Sequence, residues 1–201
     1  MPKKSKLPEK IVKYLEKAGV SHEILEHKTV YTALDAAVTM KKKIGEIAKS
    51  LLVKADRDYF LVLLPADQNV DFEKLKKTIG KIKDKEVKIV KIPGEKIMQE
   101  ALKIKAGALS AFGNFHKIPV IVEDNLAKAK KAIFSSGSLN HSVEMAVKDF
   151  AKLESAVFGK FGIKKKIKTV KAISPKIKKK PVVAQRKKIV PKKKALIKKK
   201  K

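Results

Sequence analysis

The sequence predicts an α+β fold: a single domain with a mixed, curved β-sheet flanked by helices, followed by a disordered basic tail. Three observations carry this. Strand-like and helix-like runs are interspersed without the strict alternation of a doubly wound parallel sheet. Hydrophobic residues make up 44% of the chain, too many for a disordered protein. The charge is uneven. Residues 160–201 hold 20 basic side chains and no Asp or Glu, leaving 30 basic against 20 acidic in the preceding body. Like charges at that density repel one another and keep a segment extended. The expected organisation is a basic arm over 1–6, a folded domain over 7–158 and a Lys-rich tail over 159–201.

Residues 7–18 place apolar side chains at Ile11, Val12, Tyr14, Leu15 and Ala18, a helical spacing stopped by Gly19. Residues 21–26 alternate and predict a strand. Thr32 predicts the N-cap of a helix over 33–40. Two strands, over 47–55 and 59–64, flank the turn Asp56-Arg57-Asp58 and predict a hairpin. Asp71 predicts the cap of a helix over 72–79 closed by Gly80. Residues 87–92 alternate as a strand ended by Pro93-Gly94, and 95–102 read as helix. The small residues over 107–113 predict a loop. Residues 118–122 read as a strand, and 125–129 as a turn or short helix. Strands over 132–134 and 142–147 flank a Ser135-Ser136-Gly137 turn, and a last helix is expected over 149–158. Pro175, Pro181 and Pro191 bar helix in the tail.

Composition excludes several chemistries. With no Cys, the chain has no disulfide scaffold, thiol nucleophile or Cys-ligated zinc. His22, His27, His116 and His141 lack metal-ligand spacing, so neither a metal nor another cofactor is expected. No G-x-S-x-G, phosphate-binding loop or dinucleotide fingerprint is present. The opening residues are basic but lead into an amphipathic stretch, and no run reaches the ~20 apolar residues of a membrane span. The expectation is a cytoplasmic protein without a membrane partner. Its oligomeric state is left open.

Three features could carry chemistry. Lys49 interrupts an apolar strand, although with 50 Lys+Arg in the chain a solvated lysine is the plainer reading. The loop Gly107-Ala108-Leu109-Ser110-Ala111-Phe112-Gly113 has side chains small enough for backbone N–H groups to approach a ligand. The turn Ser135-Ser136-Gly137-Ser138-Leu139-Asn140-His141 is polar and follows a strand. An ordinary turn is the plain alternative for each of the last two.

Taken in order, these segments resemble the YbaK-like aminoacyl-tRNA deacylases, the superfamily of the editing domain of bacterial prolyl-tRNA synthetases. Tyr31-Thr32-Ala33-Leu34-Asp35-Ala36-Ala37 after His27 resembles the entry motif. Ala48-Lys49-Ser50-Leu51 resembles the strand with its characteristic lysine. Val62-Leu63-Leu64-Pro65-Ala66-Asp67 and Val70-Asp71-Phe72-Glu73-Lys74-Leu75 resemble the next strand, turn and helix. The loop over 107–113 resembles the G-x-x-x-P loop. Residues 134–153, through Gly137-Ser138, Met145 and Asp149-Phe150, resemble the closing strands and helix. The likeness spans roughly 7–156.

The resemblance implies metal-independent hydrolysis of mischarged aminoacyl-tRNA, with tRNA as partner. It implies that Lys49 holds the phosphate and ester end, that the Gly107 amide sits near the ester carbonyl, and that water attacks with help from the substrate. It also implies a substrate pocket formed by Tyr31, Thr32, Ser110, Ala111, Ser136, Gly137, Ser138 and His141. The chain departs from the pattern twice. Ala111 stands where the loop usually has Pro, and Leu139 stands where many relatives have His. On a strand, His141 would share the face of Leu139. Two other functions remain open: an inactive RNA-binding scaffold on the same fold, and nucleic-acid compaction through the tail.

Overall fold

The structure is a computed structural model that describes residues 8–94, 96–98 and 109–165. Helix α1 (Glu9–Lys17) buries Ile11 and Leu15. It ends before Gly19, whose φ of +64° is open to glycine at little cost. Strand β1 (His22–Glu26) follows, then α2 (Ala33–Thr39). Thr32 and Asp35 cap α2 reciprocally: the Thr32 hydroxyl accepts from the Asp35 amide at 3.1 Å, and the Asp35 carboxylate accepts from the Thr32 amide at 3.2 Å.

The long hairpin of β2 (Ile47–Ala55) and β3 (Asp58–Pro65) is the centre of the molecule. β3 is buried on both faces, which explains its continuous apolar run. Leu61 and Leu63 face α1 and a cluster containing Phe112, Phe134 and Phe150. Phe60, Val62 and Leu64 face the opposite layer, with Leu75, Ile79 and Phe161. The remaining elements are β4 (Gln68–Val70), α3 (Phe72–Lys83), β5 (Val90–Lys91), β6 (Val120–Glu123), α4 (Asp124–Ala127), β7 (Lys131–Ser135), β8 (His141–Ala146), α5 (Val147–Leu153), β9 (Val157–Gly159) and β10 (Gly162–Lys164). Eight strands form one mixed sheet in the order β1-β8-β7-β2-β3-β6-β9, with β5 also paired to β2, and β10 pairs β4 separately. The α+β class with a mixed sheet is as the sequence predicts.

Four boundaries differ from expectation. Gly80 does not close α3. The apolar face Leu75, Ile79 and Ile82 continues past it, and the helix ends at Asp84, in the left-handed region with φ +49°. The strand expected over 87–92 shrinks to β5, because the Asp56 carboxylate takes the amides of Lys88 and Ile89 at 3.1 and 2.9 Å. The last helix stops at Leu153, and Ser155 turns the chain with φ +49° into β9, which pairs in parallel with β6. The fold also runs past residue 158. Phe161 is fully buried, its carbonyl accepts from the Asp71 amide, and β10 pairs antiparallel with β4. Of the helix expected over 95–102, residues 96–98 are helical, with the Gly94 carbonyl accepting from the Ile97 and Met98 amides, and the rest lie outside the described residues. The arm over 1–6 and the tail from 166 onward also lie outside them.

Candidate active site

A strand has two edges, and β3 occupies one edge of β2 from Ala48 to Ala55. The other edge is shared. β7 pairs it in parallel at Ile47 and Ala48, and β5 pairs it at Lys54 and Ala55. Among the described residues, residues 49–53 therefore have no strand neighbour on that side, and a cleft of about 340 Å³ lies there. Its walls are Tyr31, Thr32 and Ala36 on one side, and Leu109, Ser135, Ser138 and Ser142 on others, with Lys49 to Leu52 along β2. The sequence does not reveal this gap, because it depends on where two distant strands stop.

Lys49 lies in this cleft, half-buried, and its Nζ donates to the Gln68 carbonyl at 3.0 Å. Burial lowers its pKa below that of an ordinary lysine, and the positive charge of Lys165 lowers it further. An ammonium has three donors, so two remain for a ligand. Among the described residues no carboxylate forms an ion pair with Lys49. Next along β2 and on the opposite face of the strand, the Ser50 hydroxyl is buried with no hydrogen-bond partner among the described residues. A buried orphan polar group costs about 1–3 kcal/mol, so this hydroxyl is available to a ligand at a site the fold leaves unsatisfied.

His27 and Ser142 form a second polar pair. His27 Nδ1 lies 2.9 Å from the Lys28 carbonyl and Nε2 lies 2.9 Å from Ser142 Oγ. A carbonyl only accepts, so in the neutral ring Nδ1 carries the hydrogen and Nε2 accepts from the Ser142 hydroxyl. Ser142 thus gives its hydrogen to His27 and keeps its lone pairs for the cleft. His27 precedes the entry motif and Ser142 sits on β8; only strand pairing, with Leu25 opposite Ser142, brings them together.

The other residues singled out from the sequence divide into two groups. Tyr31, Thr32 and Ser138 line the cleft. Tyr31 presents an exposed ring, whereas the Thr32 hydroxyl is engaged in capping α2. Ser110, Ala111, Ser136 and His141 are buried and do not line the cleft. Ser110 Oγ accepts from the Phe112 amide at 3.2 Å, and Ala111 lies in the core. Ser136 Oγ donates to the His141 carbonyl at 2.6 Å and accepts from the Ser138 amide at 3.2 Å. Gly137, with φ +84°, allows this tight turn. Ser138 Oγ lies 3.3 Å from His141 Nδ1, so His141 supports the cleft wall from behind. Leu139 falls in the bend before β8 and not on the strand, so the shared face expected for Leu139 and His141 does not form. Gly107 lies outside the described residues.

Among the described residues, no group of three or more His, Asp or Glu could hold a metal ion, and no helix is long and apolar enough to cross a membrane.

The profile of the aminoacyl-tRNA editing domain matches residues 27–153, which contain every cleft residue named above. The chain is 23% identical over 152 residues to the prolyl-tRNA editing protein ProX of Acetoanaerobium sticklandii, covering 73% of this chain and 89% of that protein. Among solved structures, the hypothetical protein APE2540 superposes with a TM-score of 0.67 at 20% identity, over 77% of this chain and 99% of its own. A candidate trans-editing enzyme for prolyl tRNA synthetase also superposes with a TM-score of 0.67, at 17% identity, over 79% of this chain and 99% of its own.

Proposed function

The chain belongs to the aminoacyl-tRNA editing domain family, and from that premise we propose that it hydrolyses mischarged aminoacyl-tRNA in trans, in the cytoplasm. The observation that carries the reading is Lys49, a half-buried ammonium without an acidic partner among the described residues, set in a cleft open to a small aminoacyl ester. Editing answers a physical limit: a synthetase pocket gains only about 1–3 kcal/mol from one methylene and cannot reject a smaller amino acid well.

In this reading Lys49 binds a phosphate of the terminal nucleotides and holds the ester over β2. The Gly107 amide polarises the ester carbonyl. The Ser50 hydroxyl and the lone pairs of Ser142 take the polar groups of the aminoacyl moiety, and the Tyr31 ring stacks at the mouth. Water attacks the carbonyl carbon, the bond to the ribose oxygen breaks, and the free amino acid and the intact tRNA hydroxyl are released. An aminoacyl ester is already activated, so positioning and carbonyl polarisation suffice without a strong protein nucleophile. The basic run over 166–201 adds sequence-independent affinity for RNA.

The test is deacylation of a panel of mischarged tRNAs by the full chain, beside Lys49→Ala. Turnover of one or more substrates that Lys49→Ala abolishes, without a change in melting temperature, is the expected result. No turnover across the panel, or equal turnover by the variant, overturns the reading.

A further inference from the structure

The proposed deacylase reading assigns one cation, Lys49, to the phosphate of the substrate. The fold brings a second to the same place. β10 lies antiparallel to β4, with Gly162 opposite Val70 and Lys164 opposite Gln68. A Cβ at 162 would overlap the tip of the Gln68 side chain and press on Glu123. The Asp71 amide holds the Phe161 carbonyl at 2.8 Å, and the Lys165 amide donates to the Asp67 carbonyl at 2.9 Å. The chain is thus fastened on both sides of β10, and Lys165 is carried onto the β3–β4 turn. There its Nζ donates to the Ala66 carbonyl at 2.7 Å, while Lys49 Nζ donates to the Gln68 carbonyl two residues on.

Two ammonium groups therefore anchor on carbonyls of one short turn, from opposite directions in the chain. Each spends one donor on the backbone and keeps two. Among the described residues neither forms an ion pair. Asp67 lies in the same turn, but its carboxylate packs against Gly45, and its Oδ1 has no hydrogen-bond partner among the described residues. Bringing two like charges together at a half-buried site costs free energy that an anion between them would recover. The lowered pKa of Lys49, to which the Lys165 charge contributes, is the same repulsion seen from the other side.

We propose that Lys165 is a second phosphate-binding residue, next to the cleft, which with Lys49 clamps one phosphodiester near the 3′ end of the substrate RNA. This inference rests on the deacylase reading for the identity of the RNA, but not for the clamp itself.

The experiment measures binding of the uncharged trinucleotide CCA to the full chain across a salt series, by fluorescence anisotropy. Short RNA leaves little length for the basic run beyond 165 to contact. The variants are Lys165→Ala, Lys165→Met, Lys165→Arg, Lys49→Ala and the Lys49→Ala/Lys165→Ala double variant. The expected result is affinity about fivefold weaker for Lys165→Ala and Lys165→Met; because Lys49 still neutralises the shared phosphate, the slope of log affinity against log salt falls by about 0.7, one single-strand phosphate contact, only in the double variant. Lys165→Arg retains affinity. The double variant loses less than the product of the two single losses, because both lysines hold one phosphate. Lys165→Met keeps the apolar stem and separates a charge effect from a folding effect. The inference is overturned by unchanged affinity in Lys165→Met, by strictly multiplicative losses in the double variant, or by no trinucleotide binding in the unmodified chain. A chain that binds CCA through both lysines yet hydrolyses no ester refutes the deacylase reading and leaves the clamp standing. Normal hydrolysis with a Lys165-independent affinity does the reverse.

Discussion

The amide of Ala111 donates to the carbonyl of Ser135 at 2.9 Å, fastening the small-residue loop to the strand that walls the cleft. This bond changes what the loop's missing proline means. Pro at 111 has no N–H to donate, and the site is fully buried in the core, with no room for a ring. The sequence alone suggests that restoring the proline would rigidify the loop. The structure predicts the opposite. Ala111→Pro lowers stability by about 1–3 kcal/mol, the cost of orphaning a buried acceptor together with overpacking. Chemical denaturation measures this directly, and a rise in midpoint would contradict it.

Lys49 predicts a pH signature. Burial and the Lys165 charge lower its pKa, so the unfolded chain holds that proton more tightly than the folded one. As pH rises from the lowered value to the ordinary lysine value, folding stability increases, while the anion-binding charge is lost. KM for the aminoacyl-tRNA therefore climbs at a lower pH than an unperturbed lysine would give. Removing the charge in Lys165→Met moves that climb to higher pH. A KM flat up to the ordinary lysine range would contradict both statements.

Ser50→Ala separates ligand binding from folding. Its hydroxyl has no partner among the described residues, so deleting it leaves stability unchanged or slightly raised. If that hydroxyl bonds the substrate, KM rises several-fold. A melting temperature lowered by several degrees would show that the hydroxyl is satisfied within the protein.

His27 and Ser142 are expected to act as a unit. Ser142→Ala and His27→Ala each reduce kcat/KM about tenfold, and the double variant loses little more, because each loss breaks the same 2.9 Å bond. Independent, multiplicative losses would show that the two side chains do not cooperate.

Away from the cleft, Glu154 is buried and accepts from Tyr14 Oη and the Asn114 amide, each at 2.9 Å. Desolvation raises its pKa despite these donors, so the folded state holds the proton more tightly than the unfolded. Stability therefore falls as pH rises from the ordinary glutamate value to the raised one, and Glu154→Gln removes that dependence. Tyr14→Phe takes away one donor and costs about 1–3 kcal/mol, measurable by denaturant titration.

Where local chemistry decides the backbone, the sequence was readable. β2 spans Ile47–Ala55 as its apolar run predicts, Thr32 caps α2, and Gly19 takes a positive φ. Reading failed where distant groups decide. The strand expected over 87–92 yields to the carboxylate of Asp56, a side chain that sequence spacing does not connect to it. The helix expected through residue 158 yields to an open edge on β6. At the site, Lys49 stood out because it breaks an apolar pattern, and Tyr31 and Ser138 followed from the likeness to a family. Ser50, Ser142 and Lys165 did not, since a lone serine or one lysine in a basic run carries no signal until pairing places it.

The pairing of β1 with β8 has a consequence for synthesis. Chains emerge from the ribosome N-terminus first. Residues 22–26 must then wait for residues 141–146 before they have a neighbour, and β2, although paired with β3 at once, gains β7 on its other edge only with residues 133 and 134. Such distant closures make folding slow. Until β8 has been made, the nascent chain has the lysine but no closed cleft around it, so hydrolytic competence arrives only with residues 141–146. Until then the unpaired strands are exposed to aggregation.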